Sequence, residues 1–186
     1  IEENQTKYTA SSGTQELKEA ICYRLEQDFG VQYTPSEIAV ASGAKHSLYI
    51  ALQCLLNPGD EVILPAPYWV SYIEMIRMCG GVPVVIPTSH EEHFKITPEQ
   101  LRAAVTEKTK AIILNNPSNP TGMIYNKDEL AALAAVCVEA DLYIVADEIY
   151  YCLVYDGRPF TSVISLGEDV RARTILVNGV SKAYAM

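Results

Sequence analysis

The chain has 186 residues, 14 of them basic and 23 acidic, for a formal charge of −9, and 49% of it is apolar. That size and apolar share suit one ordinary hydrophobic core, while the acidic balance argues against a nucleic-acid binder or a protein held on an anionic lipid surface. No apolar run reaches the roughly 18–20 residues that a membrane span needs.

The opening stretch, "IEENQTKYTASSG", carries neither an initiating methionine nor a signal-peptide pattern, and the sequence reads as cut at both ends, with a targeting peptide upstream left open. "SSGTQELKEAICYRLEQDFG" predicts the first helix: Leu17, Ile21 and Leu25 recur at four-residue steps, Thr14 is its N-cap and Gly30 ends it. Strand-like and helix-like pieces then alternate. "EIAVAS" predicts a short strand and "GAKHSLYIALQCLL" a helix closed by "NPGD"; "EVILP" is a strand, and "SYIEMIRMCGG" a helix stopped by its glycines. "VPVVIP" predicts a strand, "TPEQLRAAV" a helix with Pro98 in its first turn, "TKAIILNN" a strand and "NKDELAALAAVCVEA" a helix. "DLYIVADE" and "TILVNG" predict the last strands.

This alternation implies crossover units and a mostly parallel sheet with helices on both faces, an α/β fold. Near-continuous apolar strands agree with burial on both sides. No repeat or linker interrupts the chain, so residues 1–186 read as one domain or most of one. The five cysteines, Cys22, Cys54, Cys79, Cys137 and Cys152, are odd in number and form no Cys-x-x-Cys pair. They read as reduced, mostly buried thiols of a cytosol-like compartment.

In open α/β sheets ligands bind beyond the carboxyl ends of the strands. After "EIAV" comes Ser42-Gly43-Ala44-Lys45, opening a helix, and after "EVIL" comes "PAPYW" with the only tryptophan, Trp69. "AIIL" leads to "NNPSNPTG", "LYIVA" to Asp147-Glu148-Ile149-Tyr150, and "TILV" to Lys182. Each has a bland reading: a turn, a packed tryptophan, a loop of turn formers, a solvated pair of acids, a surface lysine. Together they meet the demands of one ligand, an aromatic phosphorylated aldehyde with a basic ring nitrogen. A phosphate needs backbone N–H groups at a helix N-terminus, offered by "SGAK". A flat ring needs a stacking face, Trp69. A pyridine nitrogen kept protonated needs a carboxylate, Asp147. A phenolate oxygen needs neutral donors, Asn119 and Tyr150, and the aldehyde needs an amine, Lys182.

"NNPSNPTG", "VADEIYY" and "GVSKAYAM" in this order resemble the class I/II aminotransferases of pyridoxal-phosphate fold type I. "SGAKHSL", "PGDEVILPAPYWVSYIEM" and "TKYTASSG" narrow the resemblance to the bacterial-type aspartate aminotransferase subgroup, which includes prephenate aminotransferases. The resemblance implies that the chain is a partial, large cofactor-binding domain, with an N-terminal arm and a C-terminal small domain lying outside it. It implies that Lys182 forms the internal Schiff base with pyridoxal 5'-phosphate and shuttles the α-proton, and that Asp147 pairs with the pyridinium. Asn119 and Tyr150 would hold the phenolate oxygen, and Trp69 would stack on the ring and touch substrate, as Asn119 also would. Gly43, Ala44 and Lys45 would hold the phosphate with help from Ser181, and Lys45 would also reach the distal carboxylate of a dicarboxylic substrate.

Tyr8 would reach the phosphate of a neighbouring subunit, which implies a homodimer with shared active sites. The pattern departs at Gly179, where many aminotransferases carry a phosphate-binding serine or threonine. The arginines that bind the phosphate and the substrate α-carboxylate are expected beyond Met186. The implied activity is a ping-pong amino transfer between an amino acid, aspartate or glutamate foremost, and a 2-oxo acid, with no metal. The alternatives on the same fold are a C–S β-lyase, a kynurenine-type aminotransferase and an aminotransferase-like regulatory domain.

Overall fold

A computed structural model describes residues 2–4 and 6–186. The chain divides into two compact units between Ser42 and Gly43.

The first unit is built around helix α1, Gln15–Phe29, bounded as its sequence predicts. The Thr14 hydroxyl accepts from the Leu17 N–H, and Gly30, in the left-handed region at φ 68°, donates its N–H to the Glu26 carbonyl. Both bonds satisfy backbone groups that a helix end leaves open. Gly13 is required twice over, because its φ is +105° and a Cβ there would meet Val40 Cγ2 at 2.6 Å. The strand predicted at "EIAVAS" does not form. Residues 35–37 are a turn of 3₁₀ helix, and the segment after it is extended at Ile38. Its one backbone bond to α1's approach, Val40 N–H to Ser12 O, does not make a ladder. An apolar extended stretch becomes a strand only when another strand lies beside it.

The second unit is a five-stranded, wholly parallel sheet in the order β2-β1-β3-β4-β5. Its strands are β1 Glu61–Pro65, β2 Val82–Ile86, β3 Thr109–Asn115, β4 Tyr143–Asp147 and β5 Thr174–Val177. The connecting helices are α2 Ala44–Leu55, α3 Ser71–Met78, α4 Pro98–Ala104, α5 Lys127–Glu139 and a short α6, Glu168–Arg171. The last was not legible in the sequence, being a single turn. Side chains alternate between the sheet's faces. Val62, Leu64, Ala111, Ile113, Val145 and Val177 pack under α2 and α3 with Leu48, Leu52, Tyr72 and Ile76. Ile63, Ile112, Leu114, Ile144 and Ala146 pack against α4, α5 and α6 through Leu101, Leu130, Leu133 and Val170. Helices α4 and α5 both begin with reciprocal caps, Thr97 with Gln100 and Asn126 with Glu129.

The cysteines are all unbonded, but only Cys137 is buried; Cys22 and Cys79 are half-buried, and Cys54 and Cys152 are exposed. The expectation of mostly buried thiols therefore fails. Cys54 shows why: on α2 the inward stripe is Leu48 and Leu52, and a residue two positions further on turns away from it.

Leu133 is 1% exposed between α5 and the sheet. Leu133→Ala should cost about 2–5 kcal/mol, read as a lower urea midpoint; an unchanged midpoint would contradict this packing.

Candidate functional site

Because every strand runs the same way, their carboxyl ends emerge together. Asn115 at the end of β3 lies opposite Asp147 at the end of β4, which in turn lies opposite Val177 at the end of β5. Hydrogen bonds lace these ends together. The Asp147 carbonyl accepts from the Asn116 N–H at 3.0 Å and from Asn115 Nδ2 at 2.9 Å, and the Glu148 N–H reaches the Val177 carbonyl at 2.9 Å. Asn115 Oδ1 also accepts from the Asn119 N–H at 2.6 Å, folding the "NNPSNPTG" loop back over β3. Ser118 and Gly122 close that loop with bonds to the Met123 and Ser118 carbonyls, and Asn116 Oδ1 ties it to the Tyr125 N–H. Asn119 Nδ2 is thereby directed to the Tyr150 hydroxyl at 3.4 Å.

The two acids that end β4 are both buried and point to opposite faces, as strand alternation requires. Asp147 turns toward α3. Its Oδ2 accepts from the Tyr72 hydroxyl at 2.6 Å, and its Oδ1 accepts from the Ile149 N–H at 3.2 Å. Burial raises its proton affinity, while those two donors oppose the rise. Burial and the adjacent Asp147 charge push the Tyr72 phenol far upward, so it stays a neutral donor. Glu148 turns to the other face, where it accepts from the Ser162 hydroxyl at 2.6 Å and the Val163 N–H at 2.8 Å. Burial lifts its carboxyl to about 7 against those donors, with a further push from Asp147.

Trp69 precedes α3, with its ring edge-on to Tyr72 at 5.4 Å and Lys45 Nζ over its face at 4.8 Å. Lys45 belongs to the first turn of α2, whose N-cap, Gly43, has φ +84° and open space where a Cβ would stand. Among the described residues no side chain caps that end. Ala44 is half-buried and follows Gly43 directly. Lys182 sits exposed in the turn after β5, closed by the Tyr184 N–H to Val180 O bond, with Nζ 6.0 Å from the Tyr150 ring centroid. Ser181 beside it is exposed. A Cβ on Gly179 would lie 3.1 Å from Ile149 Cδ1, close enough that the tip of the Ile149 side chain would have to give by a few tenths of an ångström. Tyr8 lies in the first unit, fully exposed.

The expected residues thus assemble as Asn119–Tyr150–Lys182 and Lys45–Trp69, with Asp147 held from α3. Sequence reasoning missed Tyr72 and Glu148. The signal for Tyr72 was a tyrosine in an apolar helix stripe, whose hydroxyl must find a partner when buried. Among the described residues no helix is long and apolar enough to cross a membrane, and no cluster of three or more His, Cys, Asp or Glu side chains could hold a metal.

The family model for aminotransferase class I and II matches residues 2–186. The chain belongs to that family. It is 50% identical over 186 residues to an aspartate aminotransferase of Bacillus subtilis and 49% identical over 187 residues to an aspartate/prephenate aminotransferase of Cereibacter sphaeroides, in each case covering 100% of this chain and 47% of the relative. The structure of Thermus thermophilus aspartate aminotransferase with maleate superposes with a TM-score of 0.93 at 44% identity, again over 100% of this chain and 47% of that one. The chain therefore spans about half the length of the curated relatives it matches. Its parallel sheet with helices on both faces is that of the pyridoxal-phosphate fold type I aminotransferases.

For this aminotransferase-family chain Glu148 gives a pH signature. Its folded-state value, about 7, exceeds the ordinary 4.5, so the folded state holds a proton that the unfolded chain releases in that interval. Its stabilising contribution is full below the unfolded value and is lost as pH rises through the folded one. Between about pH 4 and 8 the stability of the full-length protein relative to its Glu148→Gln variant should fall by roughly 2–3 kcal/mol, measured by urea unfolding at a series of pH values. A pH-independent difference would contradict the burial described here.

Proposed function

We propose that the full-length protein is a pyridoxal 5'-phosphate-dependent aminotransferase that moves the amino group between an amino acid, aspartate or glutamate foremost, and a 2-oxo acid. In this reading residues 1–186 are part of its cofactor-binding large domain. The observation that carries the reading is the Asp147 carboxylate. It is 3% exposed, and among the described residues each oxygen accepts one hydrogen bond and no ion pair involves it. A buried carboxylate without a cation is an uncompensated charge. A protonated ring nitrogen would compensate it.

The other residues fit the same group. Asn119 and Tyr150, already within 3.4 Å of one another, are neutral donors suited to a phenolate oxygen. The open, uncapped start of α2 at Gly43, Ala44 and Lys45 suits a phosphate, with the Ser181 hydroxyl as a further donor. The Trp69 face suits the ring. Bound there, the cofactor supplies an electron sink that makes the α-proton of an amino acid removable and carries the amino group from donor to acceptor. Lys182 Nζ would hold the aldehyde at rest and, once the incoming substrate amine has displaced it, would take the proton at the substrate α-carbon. Asp147 keeps the proton on the ring nitrogen. Trp69 covers the ring face and excludes water from it.

Lys45 Nζ, over the Trp69 ring, attracts the distal carboxylate of a dicarboxylic substrate, which Asn119 and Trp69 help to orient. The Thermus relative's structure with maleate, a dicarboxylate, and the names of the Bacillus and Cereibacter relatives support aspartate, with prephenate as a further substrate. Tyr8, exposed in the first unit, is assigned to the phosphate of a neighbouring subunit, making the working assembly a homodimer with shared sites. Five unbonded thiols support a reducing, cytoplasmic location.

Lys182→Ala in the full-length protein should lower aspartate:2-oxoglutarate transamination at least about 100-fold, and borohydride reduction with the cofactor should label the peptide carrying Lys182 in the unmodified protein. Substantial turnover by the variant, or label elsewhere, would refute the assignment. Lys45→Met should lower kcat/KM for aspartate roughly 10–100-fold while that for alanine holds. Equal losses for both substrates would exclude Lys45 as a distal-carboxylate contact.

A further inference from the structure

We propose that Tyr72 is a positioning residue of this site: its hydroxyl anchors the carboxylate of Asp147 in the orientation that faces the cofactor's ring nitrogen. The inference rests on the function proposed above and extends it to a residue outside the expected set.

The contact joins residues 75 positions apart, and both partners are buried, Tyr72 at 1% and Asp147 at 3% exposure. At 2.6 Å it is a short O–H···O⁻ bond of the charge-assisted kind. Among the described residues its only companion on the carboxyl is the Ile149 N–H at 3.2 Å. One donor on each oxygen fixes the carboxyl plane at two points, whereas the backbone donor alone would let it rotate. The donor itself is rigidly held. Tyr72 lies in the first turn of α3, its N–H bonds to the Trp69 carbonyl at 3.0 Å, and its ring packs edge-on against Trp69. The turn leading into α3 therefore carries both the stacking face and the anchor of the counter-ion, so the ring's plane and its charge partner are set by the same piece of backbone.

The anchor also decides the protonation state. Burial drives Asp147 toward its neutral acid, and the Tyr72 hydroxyl and Ile149 N–H act in the opposite direction. A neutral carboxyl cannot counter a protonated ring nitrogen. Among the described residues, the titratable groups coupled to the pair are Glu148 and Tyr150, on the segment after β4. The Asp147 charge raises the proton affinity of Glu148, whose own carboxyl is engaged by Ser162 and the Val163 N–H, and the Tyr150 hydroxyl accepts from Asn119 Nδ2. Neither replaces the donor that Tyr72 supplies.

The test uses Tyr72→Phe in the full-length protein, which deletes the hydroxyl and keeps the ring. In cofactor-free protein, carbon-13 NMR of the aspartate carboxyls, with the Asp147 signal assigned by Asp147→Asn, should show Asp147 titrating at higher pH, a gain in proton affinity of about tenfold. Fluorotyrosine at position 72, a stronger donor of the same shape, should move the titration the other way and guards against a folding artefact. In loaded protein, Tyr72→Phe should lower kcat for aspartate with little change in KM, and should add no further loss in an Asp147→Asn background. An unmoved Asp147 titration in both substituted proteins would overturn the inference. Failure of the unmodified protein to carry borohydride label at Lys182 would instead overturn the proposed function, so the two failures are distinguishable.

Discussion

Two consecutive carboxyl groups are buried at the end of β4, and much of the second unit is organised to tolerate them. Burying a carboxylate is unfavourable unless donors replace the lost water. The chain meets this requirement separately on each face of the sheet. Asp147 receives a phenol from α3, and Glu148 receives a hydroxyl and a backbone N–H from the segment around Ser162 and Val163. The two solutions differ in place. Glu148 is enclosed on the face that also buries Ile144 and Ala146, with one donor on each oxygen just as Asp147 has, and it acts as a fastening between β4 and the stretch leading into α6. Asp147 lies on the opposite face, at the carboxyl end of β4 beside α3, where its donors are Tyr72 and the Ile149 N–H.

That contrast separates structure from chemistry within one dipeptide. The parallel ladder brings Asn115, Asp147 and Val177 abreast, and the bonds crossing between their ends make the three strand termini a single rigid platform. Loops built on such a platform inherit its precision. The "NNPSNPTG" segment is held by Asn115 and Asn116 side chains rather than by a ladder, and it delivers Asn119 to Tyr150 without any further support from a helix. Membership of the class I and II aminotransferases gives this arrangement its context, and the proposed function reads each of its polar groups as addressed to one part of one cofactor.

The sequence carried the repeating architecture well, because the strands centre on apolar runs and two helices announce their starts, α1 with Thr14 and α4 with Pro98. It misled at "EIAVAS", where extended geometry is present but a pairing partner is not, since pairing is not a local property. The residues of the site were legible only as a set at successive strand ends. Glu148 and Tyr72 escaped for a common reason: their partners are 14 and 75 residues away, so nothing within a local window distinguishes a buried, satisfied acid from a solvated turn, or an anchoring tyrosine from a packing one. Cysteine burial failed similarly, because composition does not say which side of a helix a residue occupies.

The opposed orientation of Asp147 and Glu148 restricts how descendants of this chain can change length. Along a strand, every gained or lost residue exchanges the two faces. A single-codon insertion or deletion within β4 would carry the glutamate to the face beside α3 and drive the aspartate into the apolar layer beneath α5. Both donors would then face the wrong group. Drift in length should therefore accumulate in the connections on either side of β4 and leave its count of residues untouched.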